Sequence, residues 1–225
     1  MEMIGQRLKD IRLRIDQAAR RSGRSPQEIT LVAVSKMADD SEVRQVYELG
    51  VRDFGENRVQ ELVRKMEVLP EARWHMIGRL QTNKVKDLVG RAYLIHSLDR
   101  WSLAKEIDHR AGQLGIEVPV LLQVNVSEEA SKTGLAVEEV RDFLMAIEDL
   151  RSIQVKGLMT MAALDSDAQS SRPVFRKLAK LRSTLQADSF KNVQLDYLSM
   201  GMSQDFEVAI EEGANIVRIG SALFT

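Results

Sequence analysis

A lysine stands directly behind a buried-strand signal in the first quarter of the chain. Ile29-Thr30-Leu31-Val32-Ala33-Val34 is a continuous β-branched and apolar run, the pattern of a strand covered on both faces. Ser35-Lys36 ends it. An amine whose stem lies against apolar walls loses its proton easily and can attack a carbonyl carbon. Position alone favours the plainer reading, a solvated lysine at a strand exit.

A second group lies near the C-terminus. Ser199-Met200-Gly201-Met202-Ser203 leaves one strand signal and opens a helix, and Gly220-Ser221 follows another. Ser203 reads as the N-cap of that helix, whose first amides suit an anion. Two glycines let backbone approach closely and two hydroxyls can donate, which fits a phosphate. The same residues also make an ordinary turn with a helix cap, and Asp205 and Glu207 in the first turn oppose an anion. Arg218, inside the apolar run Ile216-Val217-Arg218-Ile219, cannot be left unpaired. It either forms a structural pair or donates to a ligand. Lesser candidates are Asn57 in Gly55-Glu56-Asn57-Arg58, His75, and the segment from Gly78 to Lys84. Met159, Met161, Met200 and Met202 read as adaptable apolar wall.

The elements that must hold these groups alternate along the whole chain. Residues 3–22 read as an amphipathic helix, with Ile4, Leu8, Ile11, Ile15 and Ala18 on one face and Gly23 as its stop. Ser25-Pro26-Gln27-Glu28 carries the signature of a short capped turn. Strands are predicted at 29–34, 51–55, 74–77, 93–96, 118–126, 155–159, 195–199 and 216–219. Helices are predicted at 41–49, 57–68, 82–89, 101–114, 137–150, 173–185 and 206–212. Eight strands alternating with helices are the signature of an α/β single (β/α)8 TIM barrel, here with an extra N-terminal helix and one domain spanning 1–225. A doubly wound sheet is the rival, but it would have fewer strands and a glycine-rich first turn, which Val34-Ser35-Lys36-Met37 is not. Barrels place their sites on the loops after the strands and often bind phosphate after strands seven and eight. The polar stretches Ser127 to Gly134 and Asp165 to Arg172 are expected to rim that face.

Composition removes other chemistries. There is no cysteine, hence no disulfide, thiol nucleophile or cysteine-ligated metal. His75, His96 and His109 lack any metal-ligand spacing, so no metal is expected. Thirty-two basic residues against 33 acidic ones leave a net charge of −1, without the basic excess that nonspecific nucleic-acid binding needs. No apolar run approaches the roughly 20 residues of a membrane helix, and the N-terminus lacks a signal-peptide pattern. A soluble, cytoplasmic chain that engages neither membrane nor nucleic acid is expected.

Five ordered motifs carry a resemblance. Val32-Ala33-Val34-Ser35-Lys36, Phe54-Gly55-Glu56-Asn57, Trp74 to Lys84, Ser199 to Ser203 and Val217-Arg218-Ile219-Gly220-Ser221 resemble, in register, the pyridoxal phosphate homeostasis protein family. That family is similar to the barrel domain of alanine racemase, the third fold type of pyridoxal phosphate proteins. The resemblance implies pyridoxal 5'-phosphate as cofactor, with Lys36 forming the internal aldimine. It implies that Ser203, Gly220 and Ser221 cradle the phosphate and that Arg218 faces the pyridine nitrogen. Asn57, His75, Ser199 and Gly201 would line the pocket. The family pattern usually continues with a glycine after Leu223-Phe224, where this sequence has Thr225.

An arginine at the pyridine nitrogen is a permanent cation with donors only. It disfavours protonation of the ring, which weakens the ring as an electron sink. Racemases of this fold are expected to supply a tyrosine from a second domain, for which this chain has no length. Tyr47, Tyr93 and Tyr197 carry no motif around them. The expectation is therefore a non-catalytic carrier, monomeric, that buffers the cofactor and passes it to apo-enzymes. A racemase-like enzyme, a cofactor-free Schiff-base aldolase or phosphosugar enzyme, and an interaction module with a vestigial site are the alternatives.

Overall fold

In the computed structural model the chain is described at all residues except 1, 128, 130–132 and 163–166. Eight parallel strands close into a barrel in the order in which they occur in the chain. They are β1 (Thr30–Val34), β2 (Asp53–Glu56), β3 (Arg73–Met76), β4 (Leu94–Leu98), β5 (Val118–Gln123), β6 (Ile153–Met159), β7 (Val193–Ser199) and β8 (Ile216–Ile219). Closure comes from β1 pairing with β8, which sets Val32 beside Arg218 and Ala33 beside Ile219. The doubly wound alternative is thereby excluded.

The N-terminal helix is α1 (Glu2–Arg21). Between the strands run α2 (Asp40–Glu48), α3 (Val59–Val68), α4 (Val85–Leu88), α5 (Trp101–Leu114), α6 (Val140–Ile147), α7 (Arg172–Leu185) and α8 (Phe206–Glu211), and α9 (Ser221–Phe224) follows β8. The apolar face of α1 is buried at Ile4, Leu8, Ile11, Ile15 and Ala18. Each large side chain there contributes about 1.5–3 kcal/mol. Two ion pairs, Arg14 with Glu207 at 2.7 Å and Arg21 with Glu211 at 2.8 Å, fix α1 against α8.

Several boundaries differ from the sequence expectation. The segments at 82–84 and 137–139 are 3-10 turns that lead into the short α4 and α6. The strand expected to reach Val126 ends at Gln123. Val124 makes one bridge to Leu135, and the chain folds back through Gly134. The final helix α9 had no sequence signal of its own. Parts of both expected rim loops lie outside the described residues.

The barrel interior is layered. Val32, Leu94, Leu121, Met159 and Ile216 form an apolar layer, with Tyr197 packed against it. Polar groups continue the interior through His75, His96, Ser199 and Arg218, all buried. The larger apolar core lies outside the sheet, under the helices.

Candidate functional site

Lys36 sits on a turn just past β1, exposed at the carboxyl-terminal mouth of the barrel. The turn is held from below. Ser35 N–H donates to the Gly55 carbonyl at 3.1 Å, and Ala38 N–H donates to the Ser35 carbonyl at 2.9 Å. Beneath it lies a buried ionic cluster. Lys65 Nζ donates to Glu56 Oε1 at 2.7 Å and to the Ser35 carbonyl at 2.5 Å, and Ser35 Oγ donates to the same Glu56 oxygen at 2.7 Å. Lys65, Glu56 and Ser35 are all buried. A buried charge must be paired and fully bonded, and here the pairing fixes the backbone that presents Lys36. Lys65 escaped the sequence reading, although its place three residues after the buried Leu62 on α3 put it on the apolar face.

The loops after β7 and β8 meet beside that turn. A Cβ on Gly220 would lie 3.2 Å from both the Cβ and the carbonyl oxygen of Val34, so the end of β8 packs on the residue two before Lys36. Gly201 has φ +92°, and a Cβ there would lie 2.6 Å from Ala209 Cβ and 2.9 Å from Phe206 Cα. Only glycine fits that conformation and that contact. Ser203 is not the N-cap of α8. A turn at Met202–Asp205 comes first, and Asp205 holds the cap position. Ser203 Oγ instead accepts from Ala222 N–H at 3.2 Å, joining the β7 loop to the start of α9. Among the described residues the amides of Ser203 and Ser221 find no acceptor. The two carboxylates that opposed an anion here both have partners, Asp205 within this loop and Glu207 on α1. Asp205 Oδ1 accepts from Met202 N–H at 2.6 Å, and Glu207 pairs with Arg14.

Arg218 lies below this mouth. Its Nη1 donates to Ser199 Oγ at 2.6 Å and its Nη2 to the Thr160 carbonyl at 3.0 Å. Burial pulls the guanidinium down to about 10, with Asp205 opposing the shift, so it remains a cation at neutral pH. The pairing expected of a strand arginine is thus met by neutral oxygens, not by a carboxylate.

From Ser199 a hydrogen-bonded column descends through the barrel. His96 Nδ1 lies 2.9 Å from Ser199 Oγ, His96 Nε2 lies 2.9 Å from His75 Nδ1, and His75 Nε2 lies 3.0 Å from Asp53 Oδ1. Asp53 also accepts from Arg73 at 2.5 Å and lines a cavity of about 420 Å³ at the amino-terminal end of the barrel. Burial, together with the charges of His75 and Arg218, holds His96 well below the ordinary imidazole value, so it is neutral at pH 7. Burial raises the Asp53 carboxyl, but hydrogen bonds from His75 and Arg73 outweigh it and hold it below its usual range. His75 is enclosed and bonded at both ring nitrogens. It reaches the mouth only through His96 and Ser199. His96 and Asp53 had no sequence signal as site residues, because only barrel closure aligns them.

The donor set fits a phosphorylated aldehyde on its own chemistry: an exposed primary amine, an adjoining cluster of hydroxyls and amides in which the Ser203 and Ser221 amides are not taken by a carboxylate, and a buried cation beneath. Asn57 is exposed past β2, on the other side of Lys36. Among the described residues no cluster of histidines and acids could hold a metal ion, and no helix is long and apolar enough to cross a membrane.

Fold and site together define a barrel of the alanine racemase N-terminal type. The family model for the alanine racemase N-terminal domain matches residues 7–225. A pyridoxal phosphate homeostasis protein from Aquifex aeolicus is 47% identical over 97% of this chain and 96% of its own length. One from Escherichia coli K12 is 37% identical over 100% and 97%. The solved structure of PipY from Synechococcus elongatus with pyridoxal phosphate bound superposes with a TM-score of 0.85 at 34% identity, covering 99% of this chain and 100% of that one. An alanine racemase from Clostridium difficile shares the fold at 17% identity, with a TM-score of 0.71 over 87% of this chain and 54% of its own. The chain belongs to the pyridoxal phosphate homeostasis protein family.

Proposed function

We propose that this protein binds pyridoxal 5'-phosphate and takes part in keeping the free cofactor low, as a carrier and not as a catalyst. The observation that carries the reading is the adjacency of three groups: exposed Lys36 just past β1, the β7 and β8 loops packed on Val34, and cationic Arg218 beneath them. The names of the full-length relatives and the PipY structure with pyridoxal phosphate bound support it. When bound, the cofactor supplies an aldehyde and an electron-withdrawing ring.

The roles follow from the chemistry of each residue. Lys36 Nζ is the covalent anchor for the aldehyde. The hydroxyls of Ser203 and Ser221 and the backbone at Gly220 hold the phosphate dianion. Arg218, with donors only, faces the ring nitrogen and keeps it unprotonated. Ser199 orients Arg218, Gly201 shapes the loop, and Asn57 borders the pocket. His75 supports Ser199 through His96.

Non-catalytic action is supported by where the tyrosines lie. Tyr47 stacks on Arg52, Tyr93 on Arg73, and the phenol of Tyr197 senses Tyr93, Arg73 and Asp53. All three therefore sit toward the amino-terminal face, far from Lys36. A two-sided proton exchange on a bound amino acid needs an acid-base group on each face of the ring. In this reading residues 1–225 work as one domain, as a cytoplasmic monomer that releases the cofactor to apo-enzymes.

The test is the visible spectrum of the purified protein before and after borohydride, with Lys36→Ala as control. A yellow band that borohydride fixes on Lys36, and that the variant lacks, is expected. A protein that stays colourless with added pyridoxal phosphate overturns the reading. Racemisation of any amino acid in a panel, lost in Lys36→Ala, would overturn the carrier role alone.

A further inference from the structure

The segment from Gly78 to Lys84 has no part in the anchor or the phosphate cradle. Together with the start of α3 it lines a cavity of about 760 Å³ over the ends of β2, β3 and β4. Its rim is rigid. Ile77 N–H donates to the Glu56 carbonyl at 3.0 Å, and a Cβ on Gly78 would sit 2.3 Å from the Asn57 carbonyl oxygen, so the two loops touch.

The lining contains Arg58, Arg79, Lys84 and Arg100 and no carboxylate. Arg100 is already held by Asp99, by the Leu80 carbonyl at 2.8 Å and by Thr82 Oγ1 at 3.3 Å. Among the described residues the side chains of Arg58, Arg79 and Lys84 have no partner. Like charges gathered around one concavity repel one another, and an anion relieves that repulsion.

The shape and the remaining lining narrow the ligand. The volume falls in the range of small-molecule pockets, about 300–1,000 Å³, and far exceeds what a single phosphate ion needs. Side-chain amides, Gln60 and Asn83 among them, offer hydrogen bonds to hydroxyls, and no aromatic ring is present to stack a flat base. We propose that this cavity binds a small, hydroxyl-rich organophosphate carrying at least two negative charges. It is a second site on the far side of Lys36 from the β7–β8 cradle, meeting the cofactor pocket only at Asn57, and it stands whether or not Lys36 anchors a cofactor.

The test is calorimetric titration with fructose 1,6-bisphosphate at low salt. It is run on the protein as purified and on protein saturated with pyridoxal phosphate and reduced with borohydride. Equal binding in both forms is expected, because the cradle is not the site. The double variant Arg79→Ala/Lys84→Ala should weaken binding at least tenfold. Neither side chain has a structural partner, so its melting temperature should match that of the wild type. Fructose 6-phosphate, with one phosphate fewer, should also bind at least tenfold more weakly. Absence of binding, indifference to the double variant, loss of binding once the cradle is filled, or capture of poly-glutamate in place of the bisphosphate would each overturn the proposal.

Discussion

His75 Nδ1 and His96 Nε2 face each other at 2.9 Å inside the barrel, and only one of the two nitrogens can carry a proton between them. Arg218 already donates to Ser199 Oγ. With both imidazoles neutral, the Ser199 hydroxyl must then donate to His96 Nδ1, His96 Nε2–H to His75, and His75 Nε2–H to Asp53. Nitrogen-15 NMR of the two rings tests this. Both should be Nε2–H tautomers, because each Nε2 faces an acceptor. An Nδ1–H tautomer in either ring would refute the column.

The column also predicts acid lability. In the unfolded chain His96 takes up its proton near the ordinary imidazole value of 6.5, whereas the folded protein resists that proton until well below it. Folding excludes a proton in that window, so stability is complete above about pH 6.5 and falls as the pH drops. The loss attributable to this one group is at most about 1.4 kcal/mol per pH unit. Urea denaturation at pH 7.5, 6 and 5 should show the slope, and His96→Asn should reduce it by that amount.

The Lys65–Glu56 pair beneath the Lys36 turn is expected to behave as a buried ion pair. Lys65→Met strands the Glu56 carboxylate and should cost about 3–5 kcal/mol in urea denaturation. Adding Glu56→Gln should recover much of that loss. A cost under about 1 kcal/mol for the single variant would show that water reaches Glu56.

Gly201→Ala should destabilise the protein and weaken pyridoxal phosphate binding together. The substitution meets both a positive φ and backbone at 2.9 Å, so the loop carrying Ser203 must move. A loss of about 1–3 kcal/mol in stability is expected for such strain. Fluorescence titration with the cofactor should show at least a fivefold weaker dissociation constant. Unchanged binding would detach the β7 loop from the phosphate site.

Arg218→Leu tests whether the guanidinium is structural as well as functional. It removes donors from Ser199 Oγ and from the buried Thr160 carbonyl, which should cost about 1–3 kcal/mol. Borohydride should still fix the cofactor on Lys36, because the amine lies at the mouth and Arg218 beneath it. Mass spectrometry of the reduced variant decides this.

Much of the fold was legible because strands buried on both faces write themselves as apolar runs, and glycines and prolines punctuate them. Their ends were less so. β6 begins at Ile153 and β7 at Val193, two residues earlier than predicted, because pairing of Val118 with Ile153 and of Val155 with Val193 extends the ladders past the apolar runs. Ser203 illustrates the limit at the site. Its type and spacing suggested a helix cap, yet its partner is Ala222 N–H, a group from a later loop.

The linear sequence determined what is local: eight strand signals, a lysine just behind the first, an arginine within the last, and hydroxyls and glycines after the seventh and eighth. Tertiary structure alone decided which of these groups meet. Closing β8 onto β1 brings Gly220 against Val34. The same closure lines up Asp53, His75, His96, Ser199 and Arg218 in one column, from five different strands or their edges. The register that joins them is set by pairing and side-chain packing around the whole barrel, a non-local quantity that no window of sequence contains.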